Sequence, residues 1–151
     1  MRIASPHERA LILVEIATVG LPFCVFKIAT GLHLIGLSGG AVAGWPLLAL
    51  GIADVLLNLA NAGSVVVRAR PRRQICVLHG LLIAGRNAES RWGEVGLALD
   101  MMLAFTLVAA MLGLGQLLFL PSPWGTLWNL AVVLNVLGAG GLRLTKALQG
   151  R

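Results

Sequence analysis

Three polar residues stand where polar residues are costly. An apolar run of 23 residues, Trp45 to Val67, carries Asp54, Asn58 and Asn61 at steps of four and three. On a helix turning ~100° per residue these side chains fall within about 60° of arc, with Gly51 on the same side. The run is long enough to cross a hydrocarbon core of ~30 Å at ~1.5 Å per residue. Lipid offers no hydrogen bonds, so such a stripe must face protein or water, and the other elements are expected to bundle around it. Two chemistries fit. One is a proton or cation site, with Asp54 as the coupling carboxylate and the asparagines completing its shell. The other is structural: Asp54 bonds to Lys27 or Asn135 and fixes helix register, an interaction worth ~0.6 kcal/mol on average.

Other polar residues extend the pattern. Asp54 lies roughly 13 Å from the outer boundary, and Lys27 about 9 Å from it if the first span ends near His33. Lys27–Asp54 is therefore the expected buried pair, and Asn135 returns to the same depth. Lys27, Asp54, Asn58, Asn61 and Asn135 form the candidate intramembrane polar site. Glu15 and Asp100, level with Asn61 and roughly 8 Å from the cytoplasmic face, are expected in a second layer. There they could equally pair with loop arginines, and Lys27 could snorkel outward.

The histidines do not suggest a haem or a metal. His33 belongs to the outer side, His7 and His79 to the cytoplasmic side, so no two imidazoles match in depth. No cofactor is expected. Cys24 and Cys76 lie in different segments without a CxxC pattern, and Cys24 reads as a small buried hydrophobe. No Walker A, GxSxG, HExxH or dinucleotide fingerprint occurs, which argues against a soluble-style enzyme.

The elements that must position these residues follow from composition. The chain of 151 residues is 58% hydrophobic and 12% charged, with mean hydropathy +0.88. A soluble domain is about half apolar and a quarter charged, so this is a polytopic membrane protein. The formal charge of +6 could suit nucleic acid, but the arginines flank apolar spans, and no nucleic-acid partner is expected. The expected fold is an all-α, single-domain bundle of four transmembrane helices, at about 10–35, 45–67, 95–119 and 124–142. Ser5-Pro6-His7-Glu8 reads as the start of a helix. Arg2 and Arg9 ahead of an apolar run look superficially like a signal peptide, but Glu15 and Lys27 interrupt that run, and it reads as a retained span. Pro22 should kink it. Trp45-Pro46 marks the start of the second span. Gly36–Gly44 and Leu120–Pro123 are short turns.

Residues 68–94 form the one substantial loop. Its insert Gln74–Gly85 has twelve residues, too few to span, and suits an interfacial or re-entrant helix. Six of the twelve Lys/Arg lie in this loop, two at the N-terminus and three in the C-terminal tail. The positive-inside rule then places both termini and the loop in the cytoplasm. Trp45, Trp92, Trp124 and Trp128 are expected at membrane interfaces. Arg68, Arg70, Arg72 and Arg73 could contact anionic lipid, at ~1 kcal/mol each, or a partner subunit. Two faces of small residues should serve helix packing: Ala109 with Gly113, beside Thr106 and Gln116 and nearly opposite Asp100, and Ala131 with Asn135 and Gly138.

Glu15, Thr18 and Lys27, in a chain of four short spans, resemble the small multidrug resistance transporters. The resemblance covers the first span. It implies that Glu15 binds proton and cation competitively inside an antiparallel dimer. The lysine lies further along than in that family, and the long basic loop and strong Lys/Arg bias are foreign to it. The general layout is also similar to that of small DoxX-like four-helix proteins.

Two functions are expected from this reading. One is a non-catalytic accessory or assembly subunit of a larger membrane complex. The other is a proton- or cation-coupled carrier of a small solute, working as an oligomer through Asp54 and Glu15. For a third, an enzyme acting on lipid or quinone, no acid, base or nucleophile can be named. The expected location is the bacterial cytoplasmic membrane, with the bilayer, other membrane proteins or a second copy as partners.

Overall fold

The computed structural model describes residues 5–68, 76–82 and 91–148. They are almost entirely helical, and no strand occurs among them. α1 (Pro6–Glu15) runs through a π-helical turn (Ile16–Gly20) into α2 (Leu21–Ile35). α3 spans Ala41–Arg68, α4 Val77–Leu82, α5 Arg91–Gly113 and α6 Trp124–Leu148. Three stretches are long and apolar enough to cross a membrane: Pro6–Ile35, Ala41–Val67 and Arg91–Gly113. Only 28%, 28% and 22% of their most apolar windows are buried inside the protein. Their apolar surface is turned outward, as it is when lipid is the solvent. α6, expected as a fourth span, is a helix of 25 residues but does not join those three among the described residues.

The N-terminal helix begins on a complete capping box. Glu8 N–H donates to Ser5 Oγ at 3.2 Å, and Ser5 N–H donates to Glu8 Oε2 at 2.7 Å. The disturbance expected at Pro22 takes the form of the π turn just ahead of it. Proline has no N–H and its ring crowds the carbonyl one turn back, and a wider turn relieves that crowding. Thr18 sits in this turn with its hydroxyl donating to the Val14 carbonyl at 2.7 Å.

α2, not α3, is the hub of the bundle. It packs on α3, α5 and α6 together and buries Phe23, Phe26, Ala29 and Lys27. The close α2–α3 approach depends on missing side chains. A Cβ on Gly31 would lie 2.8 Å from the Leu48 amide nitrogen, and one on Gly44 2.8 Å from the Gly31 carbonyl. That contact draws α3 back to Ala41, so Pro46 lies inside the helix rather than at its first position.

On another side of α2, Phe26 packs against Trp128 of α6 with the rings tilted by 54° and 4.8 Å between centroids, and Phe23 meets Phe105 of α5 edge-on at 5.7 Å. Trp128 is 1% exposed and belongs to this core. α6 turns that face inward because its small residues pack there: Ala131 is buried, and Gly138 leaves no room for a side chain beside Thr18. Trp45 and Trp92 are exposed. α5 starts at Arg91, four residues ahead of the expected boundary, and stops at Gly113. Gly115, at φ 65°, ends the helix in a left-handed turn, and a short 3-10 turn Gln116–Phe119 follows.

Candidate functional site

Where α2, α3 and α5 meet, one lysine is held between two aspartates. Lys27 Nζ donates to Asp54 Oδ2 at 2.5 Å and also to Asp100 Oδ1. The three residues are 0%, 1% and 4% exposed. The helices position them by simple register. Lys27 follows Gly20 and Cys24 at steps of four and three on one face of the π turn and α2. Asp54 is the fourteenth of the 28 residues of α3 and so lies at its middle. Asp100 was expected in a separate layer nearer the cytoplasm. It joins Lys27 instead, because α5 begins earlier and carries residue 100 about 6 Å deeper at 1.5 Å per residue.

Asp54 has a further partner. The backbone N–H of Val77, the first residue of α4, donates to Asp54 Oδ1 at 2.7 Å. The chain leaving the arginine-rich end of α3 therefore returns to the middle of that helix. α4 is shorter than the twelve-residue insert. It packs closely on α5, where a Cβ on Gly96 would lie 2.8 Å from His79 Cα. Cys76 and His79 are buried. Burial pushes the Cys76 thiol up to about 11, although the His79 N–H that donates to its sulfur opposes this.

Asn58 and Cys24 complete the inner wall. Asn58 Nδ2 donates to the Asp54 carbonyl at 2.9 Å and lies 3.7 Å from Cys24 Sγ. Asn58 Oδ1 has no donor among the described residues and rests against Gly20, where any Cβ would collide with it.

These groups close one end of a cavity of about 380 Å³. Ile12, Ile16, Val19, Phe23, Leu97 and Met101 form its apolar walls. Glu15, exposed, and Asn61, buried, line it away from the lysine. The size falls within the range of small-molecule sites, ~300–1,000 Å³. The principal packing partners of α5 are α2 and α4, which leaves the cavity between α5 and the α1–π segment.

The other expected site residues lie elsewhere. Asn135 is buried where α6 packs on the first helical run, and its Nδ2 has no partner among the described residues. It does not reach Asp54 or Asn58, because α6 packs on the opposite side of α2 from α3. Ala131 and Gly138 lie in that same internal contact. Ala109 and Gly113 are exposed, and a Cβ on Gly113 would meet nothing within 4 Å. Gln116 bonds to His33, with 2.8 Å between Oε1 and Nε2. Arg68 ends α3, and Arg70, Arg72 and Arg73 lie outside the described residues.

Sequence reasoning missed Gly20 and Cys24, whose spacing from Lys27 could have placed them on its face. It also missed the Val77 amide, for which no periodic signal exists.

Chemically, one ammonium against two carboxylates leaves a buried site with one negative charge when all three groups are ionised. Such a charge at membrane depth is stable only with a further positive partner or a proton. Among the described residues no group of three or more His, Cys, Asp or Glu is placed to hold a metal ion. Compared with protein-family models, curated proteins and solved structures, the chain matches none.

Proposed function

We propose that this protein is a proton- or cation-coupled carrier of a small solute, with the Lys27–Asp54–Asp100 triad as its coupling site. The observation that carries the reading is one buried lysine held between two buried carboxylates that line an apolar cavity. A purely structural pair would need one acid, not two. A solute with an apolar body suits the walls, and Glu15 offers a first polar contact. In this reading α6 crosses the membrane as a fourth span. Both termini and Arg68, Arg70, Arg72 and Arg73 lie at the cytoplasmic face of a bacterial inner membrane. A second copy is the natural partner of the exposed Ala109–Gly113 face.

The test is reconstitution into proteoliposomes holding a pH indicator. A small-molecule extract of the source cells is added outside. Solute-dependent proton movement in wild type, lost in the Asp54→Asn/Asp100→Asn double variant, supports the carrier. The same exposed face supports a second reading, an accessory subunit held in a larger complex. Stoichiometric co-purification of other membrane proteins in mild detergent, with no proton movement, would select that reading instead.

A further inference from the structure

We propose that Asp100 exchanges the proton and that Asp54 is its fixed counter-charge. This rests on the carrier reading and names both the coupling ion and the group that carries it. The two carboxylates share one lysine but differ in their other hydrogen-bond donors. Asp54 takes a donor on each oxygen, Lys27 on Oδ2 and the Val77 amide on Oδ1. A proton on either oxygen would have to displace one of them. Asp100 takes Lys27 on Oδ1, and no donor reaches its Oδ2 among the described residues. Both carboxylates line the cavity, so the difference between them lies in these donors. A proton delivered from water in the cavity therefore binds Asp100 Oδ2. Lys27 and Asp54 remain a neutral ion pair, and the site passes from one negative charge to none. Release returns the proton to the cavity and restores Lys27 to both carboxylates.

The same geometry excludes a hard metal cation. Such an ion takes about six or more oxygen ligands. Here the ammonium of Lys27 already occupies the position between the carboxylates, and Asn58 Oδ1 is packed against Gly20. Among the described residues, the charged and titratable groups facing Asp100 are few. α2 brings Lys27 and Cys24, α3 brings Asp54, the segment before α4 brings Cys76, and α4 brings His79. Cys76, pushed up to about 11, stays a neutral thiol through the neutral range. Glu15 lies toward the other end of the cavity.

The experiment is pH-difference infrared spectroscopy of the purified full chain in lipid, with carbon-13 in the aspartate carboxyls. Wild type should show one carboxylic-acid C=O band that appears on acidification. Asp100→Asn should lose it completely, Asp100→Glu should move it out of the labelled position, and Asp54→Asn should keep it. Survival of the labelled band in Asp100→Asn would overturn the proposal, as would its loss in a folded Asp54→Asn. Where Asp54→Asn does not fold, the two Asp100 variants decide. The carrier reading fails separately, through absence of solute-dependent proton flux in a protein that still shows the Asp100 band. Flux without that band would sink the present assignment alone.

Discussion

Replacing Lys27 by Met should be among the most damaging single changes this chain can suffer. The side chains are similar in length, so the loss is almost wholly electrostatic. The ammonium lies 2.5 Å from Asp54 Oδ2 and bonds Asp100 Oδ1 as well, so the two oxygens are no more than about 5 Å apart. Without the lysine their mutual repulsion is about 3 kcal/mol at an effective dielectric constant of ~20. The loss of two charge-assisted hydrogen bonds adds to this, and breaking a buried ion pair costs ~3–5 kcal/mol as a rule. Lys27→Met should therefore lower unfolding free energy by about 3–5 kcal/mol where both carboxylates stay ionised. The triple variant Lys27→Met/Asp54→Asn/Asp100→Asn removes all three charges and should regain most of that loss. The assay is denaturant unfolding in mild detergent, followed by tryptophan fluorescence, since Trp128 packs against Phe26 next to Lys27. Acidification should rescue Lys27→Met, because protonated carboxyls do not repel, while leaving the triple variant unchanged. A Lys27→Met protein within about 1 kcal/mol of wild type at neutral pH would refute the reasoning, since surface ion pairs are worth no more than that.

Gly20→Ala should force Asn58 off its position and destabilise by about 1–3 kcal/mol, the usual range for overpacking, read by the same unfolding assay. Trp128→Ala removes the ring packed against Phe26. The lost transfer free energy and the void left behind together cost about 3–5 kcal/mol, visible as a lower melting temperature in detergent. Gly113→Leu places a side chain where nothing lies within 4 Å and should leave stability unchanged to within about 0.5 kcal/mol. It should shift the oligomeric state measured by light scattering if copies meet on that face.

The Lys27–Asp54 proximity was legible because both residues interrupt long apolar runs and helical rise converts sequence position into depth. The class of fold was legible for the same reason, since three of the runs are helices long and apolar enough to cross a membrane. Asp100 was misplaced because helix α5 extends four residues further than its apolar pattern, with Trp92, Gly93 and Glu94 reading as loop. The role of α2 as hub was hidden because burial on several sides leaves no stripe to detect. Trp128 looked interfacial because tryptophan favours membrane boundaries, and its packing against the neighbouring Phe26 carries no sequence signal. The Val77–Asp54 bond joins a backbone amide to a side chain, and no side-chain pattern encodes it.

The most direct test of the central claim, that the triad carries a coupling proton, is a proton count. Purified wild type and the charge-free triple variant would be titrated side by side across the neutral range in detergent. The account predicts that wild type exchanges one more proton per chain than the variant. Equal counts would mean that Lys27, Asp54 and Asp100 form a locked packing cluster, and would contradict it.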